Sequence, residues 1–212
     1  MRYEKTKELY DYWLKLKGER LAPARHEIEP NDIRNLLGDT FILEVNHAAK
    51  HISYRLAGTR LCAAHGREMK GLGYLVHWDE EDTVEILNAI TGVYSNYTPR
   101  VICHLGQSEQ NRFMEFETIL LPLQPIDEAS VRILGLTCPK NIAFWHGAEP
   151  IVSHRLRSIR LLPAKITNEE ANDILRSTPA MQYVEELQEP DDKRASNGNS
   201  ASHLTLLKGG KA

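Results

Sequence analysis

The sequence contains little that would commit it to a chemistry. It has three cysteines in 212 residues, Cys62, Cys103 and Cys138, far apart along the chain. They form no CxxC pair and no Cys/His set, which excludes the usual zinc modules. An odd number of scattered cysteines reads as reduced, part-buried thiols in a cytoplasmic protein. Positive charge is not in excess: 26 Lys and Arg stand against 29 Asp and Glu, for a net charge of −3. The basic footprint that nucleic-acid binding needs is therefore missing, and no nucleic-acid partner is expected. No apolar run reaches the roughly 18 residues of a membrane span. The mixed-charge start, Met1 to Lys7, lacks the apolar core of a signal peptide. Enzyme signatures are also missing. There is no G-x-S-x-G, no H-E-x-x-H and no phosphate-binding glycine loop with lysine. Gly71-x-Gly73 has neither a preceding strand nor a third glycine. On these grounds no enzymatic activity is expected.

What is present is ordinary for a globular chain. Hydrophobic residues make up 42% and charged residues 26%, enough for one packed domain with extensions. Residues 4–17 read as an amphipathic helix. Leu9, Trp13 and Leu16 form its stripe, Tyr10 and Leu14 flank it, and Gly18 stops it. A loop with Pro23 and Arg25 follows. Pro30 then opens a short helix through Ile33, Leu36 and Leu37, ended by Gly38.

Residues 41–45 are strand-like. A turn over 46–50 returns the chain as an antiparallel strand over 52–61. Glycines 66, 71 and 73 break residues 62–78 into short helical turns. Asp79 is placed to cap a long helix with Glu80, Glu81 and Asp82 in its first turn. Its apolar positions are Val84, Leu87, Ile90, Tyr94 and Tyr97, and Pro99 ends it. Strands follow over 101–105, 112–121 and 131–138, with Asp127 and Glu128 in the last loop. Residues 151–162 alternate in part and carry Arg155, Arg157 and Arg160. This basic run reads as a solvated edge or docking surface. Thr167 to Glu170 is a capping box opening a short helix. A second short helix fits 181–187, and the tail from 188 has the composition of a disordered segment.

The strand over 112–121 is informative about the sheet. Met114, Phe116, Thr118 and Leu120 share one face. Glu115, Glu117, Ile119 and Leu121 share the other. The second face is polar at one end and apolar at the other. Its apolar part needs cover, and the N-terminal helix is suited to it, from this chain or from a partner subunit. Leu9, Trp13, Leu16, Ile119 and Leu121 are thus the candidate interaction surface, within a chain or in a homodimer. Glu115 and Glu117 could form a carboxylate pair of raised pKa. The favoured reading is a solvated strand face.

Two strands, helical crossings and three strands are the order of a PAS domain. Trp13, Pro23-Ala24-Arg25, Pro30, Arg55-Leu56-Ala57-Gly58-Thr59, Gly66-Arg67, Gly71, Trp78, Leu121-Pro122-Leu123 and Ile133-Leu134-Gly135 carry the resemblance. In this order the chain resembles the stand-alone single-PAS proteins of alphaproteobacteria, from Trp13 to about Cys138. The resemblance implies a cytoplasmic regulatory module, with no catalytic residues and no single established ligand.

The expected fold is α+β. A five-stranded antiparallel PAS-like sheet over 39–139 has helices on one face. An N-terminal helical extension over 1–38 and a C-terminal extension over 140–187 flank it, and 188–212 form a tail. Candidate ligand residues are His65 and Arg67 in the crossing, Trp78 before the long helix, Tyr94 on it and His104 on a strand. Arg67 would hold an acidic ligand or pair with Glu68 or Glu115. Trp78 and Tyr94 read first as core anchors. Haem needs an axial histidine in the cavity. The long helix has none, which argues against haem, and nothing around Cys62 supports a flavin. The cofactor is left unassigned. With no output domain recognised in the chain, the expected partner is a regulatory protein. The alternatives are a small pocket enzyme of the isomerase or hydrolase type and a ligand-free adaptor.

Overall fold

The computed structural model describes residues 1–46, 51–125 and 130–162. The chain divides into two compact units, Met1–Arg176 and Ser177–Ala212, and every described residue belongs to the first. The turn at 47–50, the loop with Asp127 and Glu128, the two helices expected after Thr167 and the tail from 188 lie outside the described residues.

Helix α1 (Glu4–Lys17) is followed by a 3-10 turn at Arg25–Glu27 and by strands β1 (Thr40–Asn46) and β2 (His51–Ala57). Helix α2 (Thr59–Ala64) and a 3-10 turn at Leu75–His77 make the crossing. A 3-10 turn at Glu80–Asp82 then leads into helix α3 (Thr83–Ser95). Strands β3 (Arg100–Ser108), β4 (Phe113–Pro122), β5 (Ser130–Pro139) and β6 (Ile151–Leu161) complete one six-stranded sheet, in the order β2-β1-β5-β4-β3-β6. All its pairings are antiparallel. The five expected strands are present, and the basic run at 151–161 adds a sixth on the edge of β3. No helix among the described residues is long and apolar enough to cross a membrane.

Both faces of the sheet are buried. On the inner face, Phe41, Leu43, Tyr54, Ile102, Leu120 and Ile133 pack with Ile86, Ala89, Ile90 and Val93 of α3. On the outer face, Val101, Ile119, Leu121, Leu134 and Leu136 pack with Leu9, Tyr10 and Trp13 of α1. The apolar outer face is thus covered from within the chain. Trp13 is fully buried and donates its indole N–H to the Pro122 carbonyl at 2.8 Å.

Several local expectations are corrected. Residues 30–39 form overlapping turns instead of a helix. Their bonds are mostly of the i to i+3 kind, as from Leu36 N to Ile33 O and from Asp39 N to Leu36 O. The buried face of α3 is Ile86, Ala89, Ile90 and Val93, while Val84 and Leu87 are exposed. Tyr97 joins the outer cluster, not the inner one. Asp79 does not cap a helix with its side chain. It accepts from Arg155 Nε at 3.0 Å, and Asp82 accepts from the Leu156 amide at 2.6 Å. Both carboxylates therefore hold β6.

Strand β2 stops at Ala57 because Gly58 meets the 37–38 turn. A Cβ on Gly58 would lie 2.2 Å from the Leu37 carbonyl oxygen. That close approach lets Gly38 O accept from the amides of Arg60 and Leu61, which sets the start and direction of α2.

Candidate functional site

Four histidines meet at one end of the inner face. His65 comes from the end of α2, His77 from the following 3-10 turn, His104 from β3 and His154 from β6. None is more than 6% exposed. The alternation of β3 puts His104 inward, between Ile102 and Gly106. His154 arrives by a bulge. The β3–β6 register shifts between Cys103 and His104, so Cys103 faces Ser158 while His104 faces Leu156. The extra residue, Arg157, reverses the sidedness of everything before it. Leu156 and His154 turn inward with Ile159 as a result, and Arg155 turns out. Gly106 sits opposite His154. A Cβ there would lie 2.6 Å from the Phe116 ring, so the glycine leaves space for Phe116 beside the histidines.

The rings are joined by hydrogen bonds. His65 Nδ1 lies 3.0 Å from the Leu61 carbonyl, and His65 Nε2 lies 3.1 Å from His154 Nε2. His154 Nδ1 lies 3.2 Å from His104 Nδ1. His104 Nε2 lies 2.9 Å from Thr118 Oγ1, and Thr118 Oγ1 lies 2.7 Å from Thr137 Oγ1. One unbroken line of polar contacts thus runs from α2 through β6, β3 and β4 to β5. Trp78 covers it, with its ring 5.0 Å from His104 and 5.5 Å from His154, and Phe116 stacks on His104 at 5.5 Å.

Burial disfavours a charge on these rings. It pulls His104 down to about 3 and His77 down to about 4. His154 falls well below its ordinary value for the same reason, with His104, His65 and His77 adding repulsion. His65 is lowered by burial, in part offset by its bond to Leu61. The cluster is neutral at neutral pH. Among the described residues no group of His, Cys, Asp and Glu is arranged to hold a metal ion.

Of the candidate residues, His65, Trp78 and His104 come together in this cluster. Arg67 stands at its rim, pairing with neither Glu68 nor Glu115; its guanidinium donates to His77 Nδ1 at 3.3 Å. Tyr94 lies apart, on a groove with Ile52, Val76 and Leu87. His154 was hidden in the basic run. His77 joins the cluster beside His65, and Thr118 and Phe116 complete it from the inward face of β4.

The outer face carries a second buried polar site. Glu117 is fully buried, not solvated. It accepts from the backbone amides of Arg2 and Tyr3 at 3.1 and 3.2 Å, from the Thr6 hydroxyl, and from Arg160 at 3.0 Å. The start of α1 is thereby pinned to β4. Asp39 accepts from Lys5 Nζ at 2.6 Å and from Arg60 at 2.7 and 2.8 Å. Burial pushes the Asp39 carboxyl up, but its bonds to Arg60 and Lys5 outweigh this and hold it below the usual range. Glu115, two residues from Glu117, is exposed and pairs with Lys140 at 2.8 Å.

Between the two sites lies a cavity of about 240 Å³. Lys5, Asp39 and Arg60 reach it from the outer site, and His65 and Thr137 from the inner one. Phe116 and Ile142 give it apolar walls, and His146 lines it with a buried Nδ1 that has no partner among the described residues.

A family profile described as a PAS domain matches residues 1–138, which leaves β6 and His154 outside the match. The chain is similar to solved structures at low identity. The PAS domain of an HTR-like protein from Haloarcula marismortui is 18% identical, with 51% of this chain and 89% of that one covered, at a TM-score of 0.35. A LOV protein from Rhodobacter sphaeroides is 8% identical, with 76% and 99% covered, at a TM-score of 0.40. A PAS domain from Colwellia psychrerythraea is 13% identical, with 52% and 97% covered, at 0.37. No curated protein matches the chain.

Proposed function

The chain belongs to the PAS domain family, and from that premise we propose that it is a sensory and regulatory module whose state is read from its N-terminal helix by a protein partner. The observation that carries this reading is the way α1 is held. Its apolar stripe covers the outer face, but its start is fixed by two buried carboxylates, Glu117 and Asp39. A buried polar tie gives less net stability than an apolar contact of the same size, yet breaking one partner is costly. That combination suits two discrete arrangements, helix docked and helix released. A ligand or partner that favours one of them shifts the population. Release would uncover Val101, Ile119, Leu121, Leu134 and Leu136 as one apolar surface for a regulatory protein or a second copy of the chain.

The enzyme alternative gains little support. Glu115 and Glu117 face outward, away from the inner cluster. His65, His154 and His104 are partnered by one another, His77 meets Arg67, and all four are too weakly basic for proton transfer near neutral pH. The filled inner face, with Tyr54 and Trp78 in its core, fits a module that acts by binding.

The test is light scattering of the full chain, of a variant lacking residues 1–18, and of Glu117→Gln. Helix loss is expected to drive self-association or to change partner binding, and Glu117→Gln to do so in part. If both variants matched the full chain in oligomeric state and partner binding, the helix would not be the readout. Native mass spectrometry of the protein from its own cells tests the sensor half. A mass above that of the chain reveals a retained ligand. A bare mass favours the adaptor form of the same reading.

A further inference from the structure

The line of histidines has a direction, and the direction is set at one end. The Leu61 carbonyl can only accept, so His65 Nδ1 carries a proton. A neutral His65 then has a bare Nε2, and His154 must donate to it from Nε2. His154 Nδ1 is therefore bare, and His104 donates to it from Nδ1. His104 Nε2 is bare in turn and accepts from the Thr118 hydroxyl. Thr118 has then used its only proton, so Thr137 donates to Thr118. Every tautomer along five elements follows from one backbone carbonyl. At the far end, Thr137 has spent its proton too. Thr137 is half-buried and lines the cavity, and its hydroxyl oxygen can offer only lone pairs.

We propose that this cavity is the sensing site, and that it takes a small uncharged molecule bearing an N–H or O–H donor, bound at Thr137 Oγ1. The proposal deepens the sensor reading above and rests on it. A molecule that needs to accept from Thr137 meets a specific obstacle. If the whole line reversed without a new proton, a lone pair on His65 Nδ1 would face the Leu61 carbonyl, an unsatisfied buried contact. The line can reverse cleanly only by taking one proton from solvent. His65 would then hold N–H at both nitrogens, His154 at Nδ1 and His104 at Nε2. That places a charge among His77, His154, Arg67 and His146, the groups that already repel it. Cationic donors are disfavoured for another reason. Lys5 and Arg60 outnumber Asp39 on the same wall. The apolar walls of Phe116, Pro139 and Ile142 suit a compact ring or alkyl body, with His146 Nδ1 available for a second polar contact. Occupation would polarise the line along its length and would touch the Lys5–Asp39 tie of α1.

Two probes of similar shape separate the polarities: pyrrole, which donates only, and pyridine, which accepts only. Nitrogen NMR of the full chain at pH 8 first reads the tautomers. Protons are expected on Nδ1 of His65 and His104 and on Nε2 of His154; any other pattern overturns the proposal. Titration with pyrrole is expected to give saturable shifts at Thr137, Phe116 and His146. Pyridine at the same concentrations is expected to give none, and then to gain about tenfold in affinity per pH unit lowered towards 6.5, as uptake of one proton requires. Thr137→Val should abolish the pyrrole response and Thr137→Ser should keep it. Equal binding of both probes, or no saturable response to pyrrole, overturns the donor-selective site. If the probes fail while removal of residues 1–18 still changes assembly, the cavity is wrong and the helix reading stands. If they succeed while the truncation is silent, the cavity stands and the helix is not its readout.

Discussion

Glu117 and Thr118 are neighbours on β4, and both are buried, but they face opposite sides of the sheet and belong to opposite kinds of polar network. Thr118 sits in a line of neutral rings and hydroxyls. Glu117 is a carboxylate surrounded by amides, a hydroxyl and an arginine. The inner network joins elements of the sheet to one another and to α2. The outer one, centred on Glu117, joins β4 and β6 to the start of α1. A neutral network in a dry place is stable until a proton arrives, because every member is satisfied as it stands. A charged network depends on each of its partners, since losing one leaves a buried charge behind. The same strand thus supports a fixed side and a detachable side.

The largest expected effect lies on the detachable side. Trp13→Ala removes a fully buried ring and its bond to the Pro122 carbonyl, and it should cost about 4–5 kcal/mol in urea unfolding. A loss below about 1 kcal/mol would mean that α1 contributes little to the folded unit, and the two sides would no longer be comparable.

Acid should separate the sides by pH window. The His77 and His104 pKa values are lowered from an ordinary value near 6.5 to about 4 and about 3. The unfolded chain binds protons more readily than the folded one. Their contribution is therefore complete above 6.5 and is lost as pH falls towards those values. From pH 7 to pH 5 the loss is about 2 kcal/mol for each histidine, about 4 for the pair. Asp39 is also lowered, but from an ordinary carboxylate value, so its contribution persists above about pH 4 and is lost below it. Stability that stays flat between pH 7 and 5 would contradict the neutral inner network.

Adjacent substitutions sharpen the contrast. Glu117→Gln should cost about 3 kcal/mol by leaving Arg160 and the α1 amides without their charge partner. Thr118→Val leaves His104 Nε2 without a donor and should cost about 2 kcal/mol. Only the first should alter assembly, and only the second should shift the His104 Nε2 resonance, with the tautomers staying as the Leu61 carbonyl sets them.

The strands of this fold were legible because alternation is a local property. The facing sets Met114–Phe116–Thr118–Leu120 and Ile119–Leu121 follow from period two alone, and the clusters keep them. The buried face of α3 was not legible, since residues 83–95 are apolar on more than one side and the sheet selects Ile86, Ala89, Ile90 and Val93. His104 and Thr118 could have been placed inward by the same alternation that placed Ile102 and Phe116. His154 could not. Plain alternation from Ile159 would have turned Arg157 and Arg155 inward, and only the bulge at Arg157 reverses this. Glu117 was misread for a related reason: the start of α1 covers it from 111 residues away in sequence, as its bond to Thr6 records.

The smallest expected effect is at Lys140, and it tests whether burial or chemistry makes the outer carboxylate matter. Glu115 and Glu117 are the same residue type on the same face of one strand, two positions apart. Glu115 is held below the ordinary carboxyl range by its hydrogen bond to Lys140, with both side chains more than half exposed. Water competes for both partners, salt screens them, and two long side chains must be ordered to meet. The Lys140 amide also bonds the Glu115 carbonyl, so the backbone contact survives loss of the side chain. Lys140→Ala should therefore leave the urea midpoint unchanged, while Glu117→Gln moves it by the amount stated above. A destabilisation at Lys140 equal to that at Glu117 would show that the outer face responds to charge pairing wherever it occurs, and α1 would lose its distinction as the element held by a buried tie.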